Sequence, residues 1–187
     1  MTDFKPIHES YWVEPGRLLA GEHPGHWDER TIRRRLANLL DAGIRVFIDL
    51  SDSSDAVRSY RAELDKLCRD RGIRVEYLAY PMQSDEVPEY AEDVRHILRR
   101  VQAALQAGER VYIHCGDGVG RTGMVVGCWL VESGFDPEDA LEELARRFAA
   151  MGKSRFYRSA PSSALQAEWV ENWQPSLRGS LECCQAS

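Results

Sequence analysis

Two spacings of hydrophobic residues alternate along this chain. Short runs of strand type occur at 45–50 (RVFIDL), 74–80 (RVEYLAY) and 110–115 (RVYIHC). Residues 11–21 predict a hairpin or a pair of edge strands, with a turn at Pro15-Gly16. Between these runs the spacing becomes helical, first where Ile32, Leu36, Leu39 and Leu40 share one face. Further helices are expected at about 57–71, 88–107, 121–133, 137–148 and 162–173.

Strands that alternate with helices favour one fold class. A helix between two strands is long enough to return the chain so that the strands run parallel. We therefore predict an α/β fold with a central, mostly parallel sheet and helices on both faces. The sequence has no internal repeat and no boundary to a second domain, and its last residues, PSLRGSLECCQAS, lack any periodicity. We predict a mobile tail at 174–187.

The composition of the chain excludes several classes of protein function. The chain has 187 residues, a net charge of −6 and 43% hydrophobic residues. A nucleic-acid or membrane-surface protein usually displays a basic face, so neither partner is expected. The longest apolar run, 124–131, is too short to span a bilayer, and the first ten residues do not resemble a secretory signal. Five cysteines without a CxxC pair indicate free thiols and a cytoplasmic protein.

Candidate chemistry is concentrated in HCGDGVGRTG at 114–123, which follows the last strand and precedes a helix. A glycine-rich turn at a helix N-terminus directs backbone N–H groups to a single point and binds a tetrahedral anion. The guanidinium of Arg121 can hold two phosphate oxygens at once. Cys115 lies at the base of this turn, where the same positive field favours a thiolate nucleophile. No metal is expected to take part, because His23 and His26 have no further ligands nearby in the sequence.

His-Cys, five residues and Arg-Thr-Gly together resemble the signature of the cysteine-based protein tyrosine phosphatase superfamily. The short length is similar to the dual-specificity-type branch, and ESYWVEPGRLLAGEHPG and DAGIRVFIDL resemble its small bacterial members. The resemblance covers residues 8–173, which we expect to form a single catalytic domain. It implies a phosphatase of the dual-specificity-like fold that hydrolyses phosphomonoesters on protein side chains, without a cofactor, through a phosphocysteine intermediate.

The resemblance also assigns roles to individual residues. It implies that Cys115 forms the phosphocysteine, that Arg121 binds phosphate and stabilises the transition state, and that Thr122 hydrogen-bonds the sulfur. His114 would support the loop. The phosphate would be bound by the loop residues Gly116, Asp117, Gly118, Val119, Gly120 and Arg121.

The resemblance also implies a general acid that protonates the leaving group. The family commonly carries an aspartate in a Pro-x-x-Asp-x-x-x-Pro setting, and YPMQSDEVPEY at 80–90 is the matching stretch. Aligning its two prolines puts Ser84 at the aspartate's place, so we predict that Asp85 is the acid, with Glu86 as the alternative. A third reading is that both acids only serve the dipole of the following helix. Gln166 is a weaker candidate, for orienting the hydrolytic water.

Substrate preference and two alternative functions also follow from the loop. Asp117 would repel additional phosphates, which favours phosphotyrosine first, then phosphoserine or phosphothreonine, over a polyphosphorylated headgroup. Tyr80, Tyr90 and Phe156 could line the pocket, but we expect core packing. The alternatives are a phosphate-reading binding module, favoured by the displaced acid, and a sulfur-transfer or arsenate-reducing enzyme. The sequence leaves the oligomeric state open.

Overall fold

The structure, a computed structural model, describes residues 5–176 of the chain. Its strands are β1 (Ser10–Glu14), β2 (Leu18–Gly21), β3 (Ile44–Asp49), β4 (Glu76–Ala79) and β5 (Arg110–His114). Its helices are α1 (Glu29–Asp41), α2 (Arg61–Arg71), α3 (Ala91–Gln106), α4 (Gly120–Glu132), α5 (Pro137–Phe148) and α6 (Ala164–Glu171), with a short 3₁₀ turn at Gly152–Arg155.

The five strands form one sheet in the order β1-β2-β5-β3-β4. Strands β2, β5, β3 and β4 are parallel, and β1 pairs with β2 in the antiparallel sense at the edge. His114, the last residue of β5, is level with Gly21 of β2 and with Asp49 of β3. The loops that leave these three strands therefore start side by side at the carboxyl edge of the sheet, where α/β folds bind their ligands.

Alternation along the strands builds a core on each face of the sheet. Phe47 and Tyr112 face the side that is covered by α1 and α2. Ile48 and Ile113 face the opposite side, which is covered by α3, α4, α5 and α6. Helix α4 is buried along almost its whole length. The predicted α/β class, with a mostly parallel sheet between two helical layers, is confirmed.

Element boundaries differ from the sequence-based prediction at two helices. Helix α3 begins at Ala91 instead of 88, and α2 begins at Arg61 instead of 57. Before α2, the buried side chain of Tyr60 is hydrogen-bonded to His114 of β5, so residues 50–60 are held as a loop against the sheet edge. The predicted mobile tail at 174–187 lies, from residue 177 onward, outside the described residues.

Candidate active site

The loop at 115–119 connects β5 to α4 and lies on the backbone of the neighbouring strand β2. Gly118 has a φ of +76°, and a Cβ there would lie only 2.3 Å from the carbonyl carbon of Gly21. A side chain at this position would therefore be strained and would also collide with backbone. His23 N donates to Gly116 O at 3.0 Å and fixes the loop from the same side. The shape of the loop thus depends on close packing against the end of β2.

Cys115 is at the base of the loop and is 2% exposed. Its Sγ accepts a hydrogen bond from Gly118 N at 3.3 Å and lies close to the N-terminus of α4, which begins at Gly120. An amide donor and the positive end of a helix both favour negative charge on sulfur. The sulfur of Cys115 thus lies at the point to which an amide donor and a helix N-terminus are directed.

The guanidinium of Arg121 is held by a carboxylate that the sequence analysis did not identify. Arg121 Nη1 donates to Asp55 Oδ2 at 2.7 Å, and Nη2 donates to Asp55 Oδ1 at 2.6 Å. Nη1 also donates to Met82 O at 2.9 Å. Hydrogen bonding to Arg121 lowers the pKa of Asp55, and although burial lowers the pKa of Arg121, the bond to Asp55 gives a net rise. Both groups are therefore charged at neutral pH.

These contacts use only part of the donor capacity of Arg121. A guanidinium has five N–H donors, of which Asp55 and Met82 take three. Within residues 5–176, Nε and the second hydrogen of Nη2 have no assigned acceptor. Arg121 lines a cavity of about 200 Å³ together with Cys115, Val119, Gly120 and Tyr157. The fork is thus fixed on one side and has donors left for two oxygens of an anion.

His114 supports the loop from below through a buried polar cluster. Its Nε2 shares a 2.7 Å hydrogen bond with the hydroxyl of Tyr60, and its Nδ1 lies 3.7 Å from Asp49 Oδ1. Burial lowers the pKa of His114 to about 4, an effect that Asp49 opposes. His23 packs against the ring of His114, and burial lowers its pKa too. The cluster therefore holds neutral imidazoles, and His114 is placed to support the loop.

The side chain of Thr122 is buried directly after Arg121. Its hydroxyl has no hydrogen-bond partner within the described part of the chain. The predicted bond from Thr122 to the sulfur is therefore not formed in this conformation. A buried hydroxyl without a partner costs free energy, so a hydrogen bond to Thr122 would be favourable.

The loop at 80–90 separates the two candidate acids. Asp85 lines the cavity of about 200 Å³ that contains Cys115 and Arg121, which we call the catalytic cavity. Glu86 instead lines a different cavity of about 510 Å³. Asp85 has a φ of +62°, so the chain turns sharply here and the two neighbouring side chains diverge. Ser84 also lines the catalytic cavity.

Two hydrogen bonds from the start of α6 hold this acid-bearing loop. Ser163 Oγ donates to Asp85 O at 3.2 Å, and Gln166 Nε2 donates to Glu86 O at 3.1 Å. Gln166 is fully buried, and its Oε1 has no partner in the described structure. A Cβ at Gly120 would lie 2.8 Å from that Oε1, so Gln166 packs against the first residue of α4, directly after the loop at 115–119, which we call the catalytic loop. Gln166 therefore links the loop at 80–90 to the end of the catalytic loop.

Asp117 is the one carboxylate of the loop at 115–119, and its side chain is exposed. Tyr157 Oη donates to its Oδ2 at 2.9 Å, and Lys153 Nζ lies 3.4 Å from its Oδ1. Lys153 also pairs with Glu22 at 2.8 Å. Because a cation and a hydroxyl already bind Asp117, its repulsion of a second phosphate is weaker than its sequence position suggests. The contact places the ring of Tyr157 at the cavity wall.

Residues 5–176 contain no group of three or more His, Cys, Asp and Glu side chains that could hold a metal ion. Across this range, every helix is too short or too polar to cross a bilayer.

Comparison with known proteins agrees with this geometry. Residues 8–173 match the family model of the DSP-PTPase phosphatase domain of the Swiss Army Knife protein. The chain belongs to this family of cysteine-dependent, dual-specificity-type phosphatases. Tk-PTP, solved in its active form, has a TM-score of 0.67 and 24% identity, over 92% of this chain and 97% of that one. P. aeruginosa TpbA, solved in complex with pTyr, has a TM-score of 0.64 and 20% identity, over 98% and 94%.

One curated relative is longer than this chain. A protein of Invertebrate iridescent virus 3 that is named for tyrosine phosphatase activity is 22% identical over 171 residues. The match covers 89% of this phosphatase chain but only 60% of the viral protein. The chain thus spans about three fifths of the length of that relative.

The structure brings the main predicted site residues together, but it corrects one expectation about aromatic side chains and adds one carboxylate. Cys115, Asp85 and Arg121 share one cavity. The expectation that Tyr90 and Phe156 pack in the core is wrong, since both rings are exposed in loops. Sequence reasoning also missed Asp55, because SDSSD at 51–55 has the composition of an ordinary polar loop.

Proposed function

We propose that this phosphatase hydrolyses phosphomonoesters on protein side chains through a phosphocysteine on Cys115, with phosphotyrosine as the first substrate and phosphoserine or phosphothreonine as the second. The observation that carries the proposal is the fixed guanidinium of Arg121. It shares a cavity with the sulfur and keeps N–H donors unused by Asp55. An anion bound there would have its phosphorus next to a sulfur that is favoured as thiolate.

In the first step, Sγ of Cys115 attacks phosphorus and the bond from phosphorus to the side-chain oxygen breaks. Asp85, which lines the same cavity, would donate its proton to the leaving oxygen. In the second step, water attacks the phosphocysteine, the sulfur–phosphorus bond breaks, and Asp85 takes back a proton. Thr122 would stabilise the departing thiolate, and Gln166 would position the loop that carries Asp85.

Two observations support an aryl phosphate as the preferred substrate. The ring of Tyr157 lines the cavity, where it could pack against the ring of a phosphotyrosine. The carboxylate of Asp117 holds that ring through its hydroxyl. We also place the protein in the cytoplasm, because Cys68, Cys115 and Cys128 are free thiols.

Replacing the nucleophile tests the proposal. Cys115→Ser should abolish hydrolysis of p-nitrophenyl phosphate and of phosphotyrosyl peptides, while phosphate affinity is kept because the loop and Arg121 remain. Wild-type activity should persist in EDTA. Rapid acid quenching of wild type with ³²P-labelled substrate should trap label on Cys115. Hydrolysis that survives Cys115→Ser, or that EDTA removes, would contradict the mechanism.

A further inference from the structure

Large hydrophobic side chains that are exposed occur at only one edge of the described structure. Five such residues lie within residues 5–176: Trp27 (83% exposed), Phe156 (86%), Tyr90 (62%), Leu165 (45%) and Val57 (36%). Exposed hydrophobic residues are normal when they are scattered singly. These five instead lie in loops at the carboxyl edge of the sheet, or in the first turn of α6, and none of them lines the catalytic cavity itself. We call them the apolar rim.

Two rim residues lie in the loops that leave β2 and β3. Trp27 lies in the segment 22–28, which directly follows Gly21. In this segment His23 N donates a hydrogen bond to Gly116 O of the catalytic loop. Val57 belongs to the loop that carries Asp55, the partner of Arg121. Because Gly21 and Asp49 end level with His114, both loops emerge beside the catalytic loop.

The other three rim residues lie in the loops that form the cavity wall. Phe156 directly precedes Tyr157, whose ring lines the cavity. Tyr90 ends the loop that carries Asp85. Leu165 is in the first turn of α6, two residues after Ser163, which bonds the backbone of Asp85. The loops that carry Asp55, Asp85 and Tyr157 therefore each also present an apolar side chain to solvent.

We propose that the apolar rim binds apolar side chains on either side of the phosphorylated residue in a polypeptide substrate. The inference rests on the proposed function. A cavity of about 200 Å³ can enclose a phosphorylated side chain but not the chain that bears it, so that chain must cross the rim. An extended peptide rises about 3.3 Å per residue, so the contacts fall within about four positions of the phosphorylated residue.

The rim carries charges of both signs. The loop at 80–90 has Asp85, Glu86 and Glu89, whereas Arg155 and Arg158 are exposed beside Phe156. Proteins that bind membranes usually combine exposed aromatic residues with such basic residues. Because the phosphorylated side chain of a polypeptide brings the adjoining backbone across the rim, we expect a peptide there, and binding to anionic vesicles is the competing outcome of the test.

The test measures binding to the trapped form of the enzyme. Two fluorescein-labelled phosphotyrosyl peptides of equal charge are compared, one with Leu and Val at the flanking positions and one with Ser and Gly. In a Cys115→Ser background, the apolar peptide should bind more tightly, and Trp27→Ala or Phe156→Ala should each weaken it about fivefold to twentyfold. The polar peptide should lose less than twofold. In the wild-type background, the same substitutions should leave kcat/KM for p-nitrophenyl phosphate unchanged.

Phe135→Ala provides a matched control, because this partly buried aromatic residue lies in the turn between α4 and α5, at the opposite edge of the sheet. It should not alter the preference for the apolar peptide. Equal affinity of the two peptides, or rim variants that bind like the parent, would overturn the inference. So would rim-dependent sedimentation with phosphatidylserine vesicles without any effect on peptides. Neither result bears on the proposed chemistry, which stands or falls on loss of hydrolysis in Cys115→Ser.

Discussion

Asp55→Asn should remove the support of the phosphate-binding arginine with almost no change in side-chain shape. The carboxylate now accepts from both Nη atoms of Arg121 in a fork of 2.6 and 2.7 Å. An asparagine keeps one acceptor but must point its own NH₂ group at a guanidinium N–H, so a donor faces a donor. Arg121 is 4% exposed, so bulk solvent compensates poorly for the lost partner.

The magnitude follows from the burial of this pair. Removing one partner of a buried pair leaves a desolvated charge, and here we expect a cost of about 3 kcal/mol in the free energy of unfolding. For a domain of this size, that corresponds to a fall in Tm of about 6–12 °C. A guanidinium released from its fixed orientation should also lower kcat/KM for p-nitrophenyl phosphate by about 10- to 100-fold.

Thermal unfolding followed by circular dichroism and steady-state kinetics measure the two effects. Asp52→Asn is the matched control, because this carboxylate lies in the same loop and hydrogen-bonds Ser54 instead of Arg121. It should change the free energy of unfolding by less than about 0.5 kcal/mol. If Asp55→Asn kept both the Tm and the kcat/KM of wild type, the carboxylate would not be what positions Arg121.

Two further predictions concern proton transfer and pH. Asp85→Asn should lower kcat for phenyl phosphate by about 100-fold or more, and less for p-nitrophenyl phosphate, whose leaving group needs no acid; Glu86→Gln should change neither. The reverse pattern would make Glu86 the acid. Burial lowers the pKa of His114 from 6.5 to about 4. Between these two pH values the unfolded chain binds a proton at His114 and the folded protein does not. Stability should therefore be full above pH 6.5 and fall towards pH 4, with His23 adding to the loss; a flat urea midpoint between pH 6.5 and 4.5 would refute this.

Much of the fold was predictable, because it depends on local patterns. Ile48 and Ile113 belong to short apolar runs whose burial requires a sheet. The catalytic loop was predictable for a similar reason, since Cys115 and Arg121 belong to one short segment whose spacing carries the chemistry. In both cases the information lies within about ten consecutive residues.

The rest depends on contacts between distant parts of the chain. Asp55 and Arg121 are 66 residues apart, and no periodicity relates them. The choice between Asp85 and Glu86 depends on a backbone angle of +62°, which the pattern of polar residues at 80–90 does not encode. Exposure of Phe156 was mispredicted because an aromatic residue is usually buried, and only the path of the loop before α6 shows otherwise.

The level ends of β2, β5 and β3 have a consequence for how this scaffold can diversify. The residue proposed as nucleophile directly follows an interior strand with a neighbour on each side, whereas recognition surfaces arise from separate segments that join the sheet or its helices at other points. An outer segment can be lengthened, shortened or exchanged without disturbing the sulfur only where it keeps the contacts that hold the loop at 115–119: the backbone contact of Gly118 with Gly21, the hydrogen bond from His23 N to Gly116 O, and the pair of Asp55 with Arg121. Libraries aimed at new specificities should therefore randomise the periphery segment by segment and leave these contacting residues untouched.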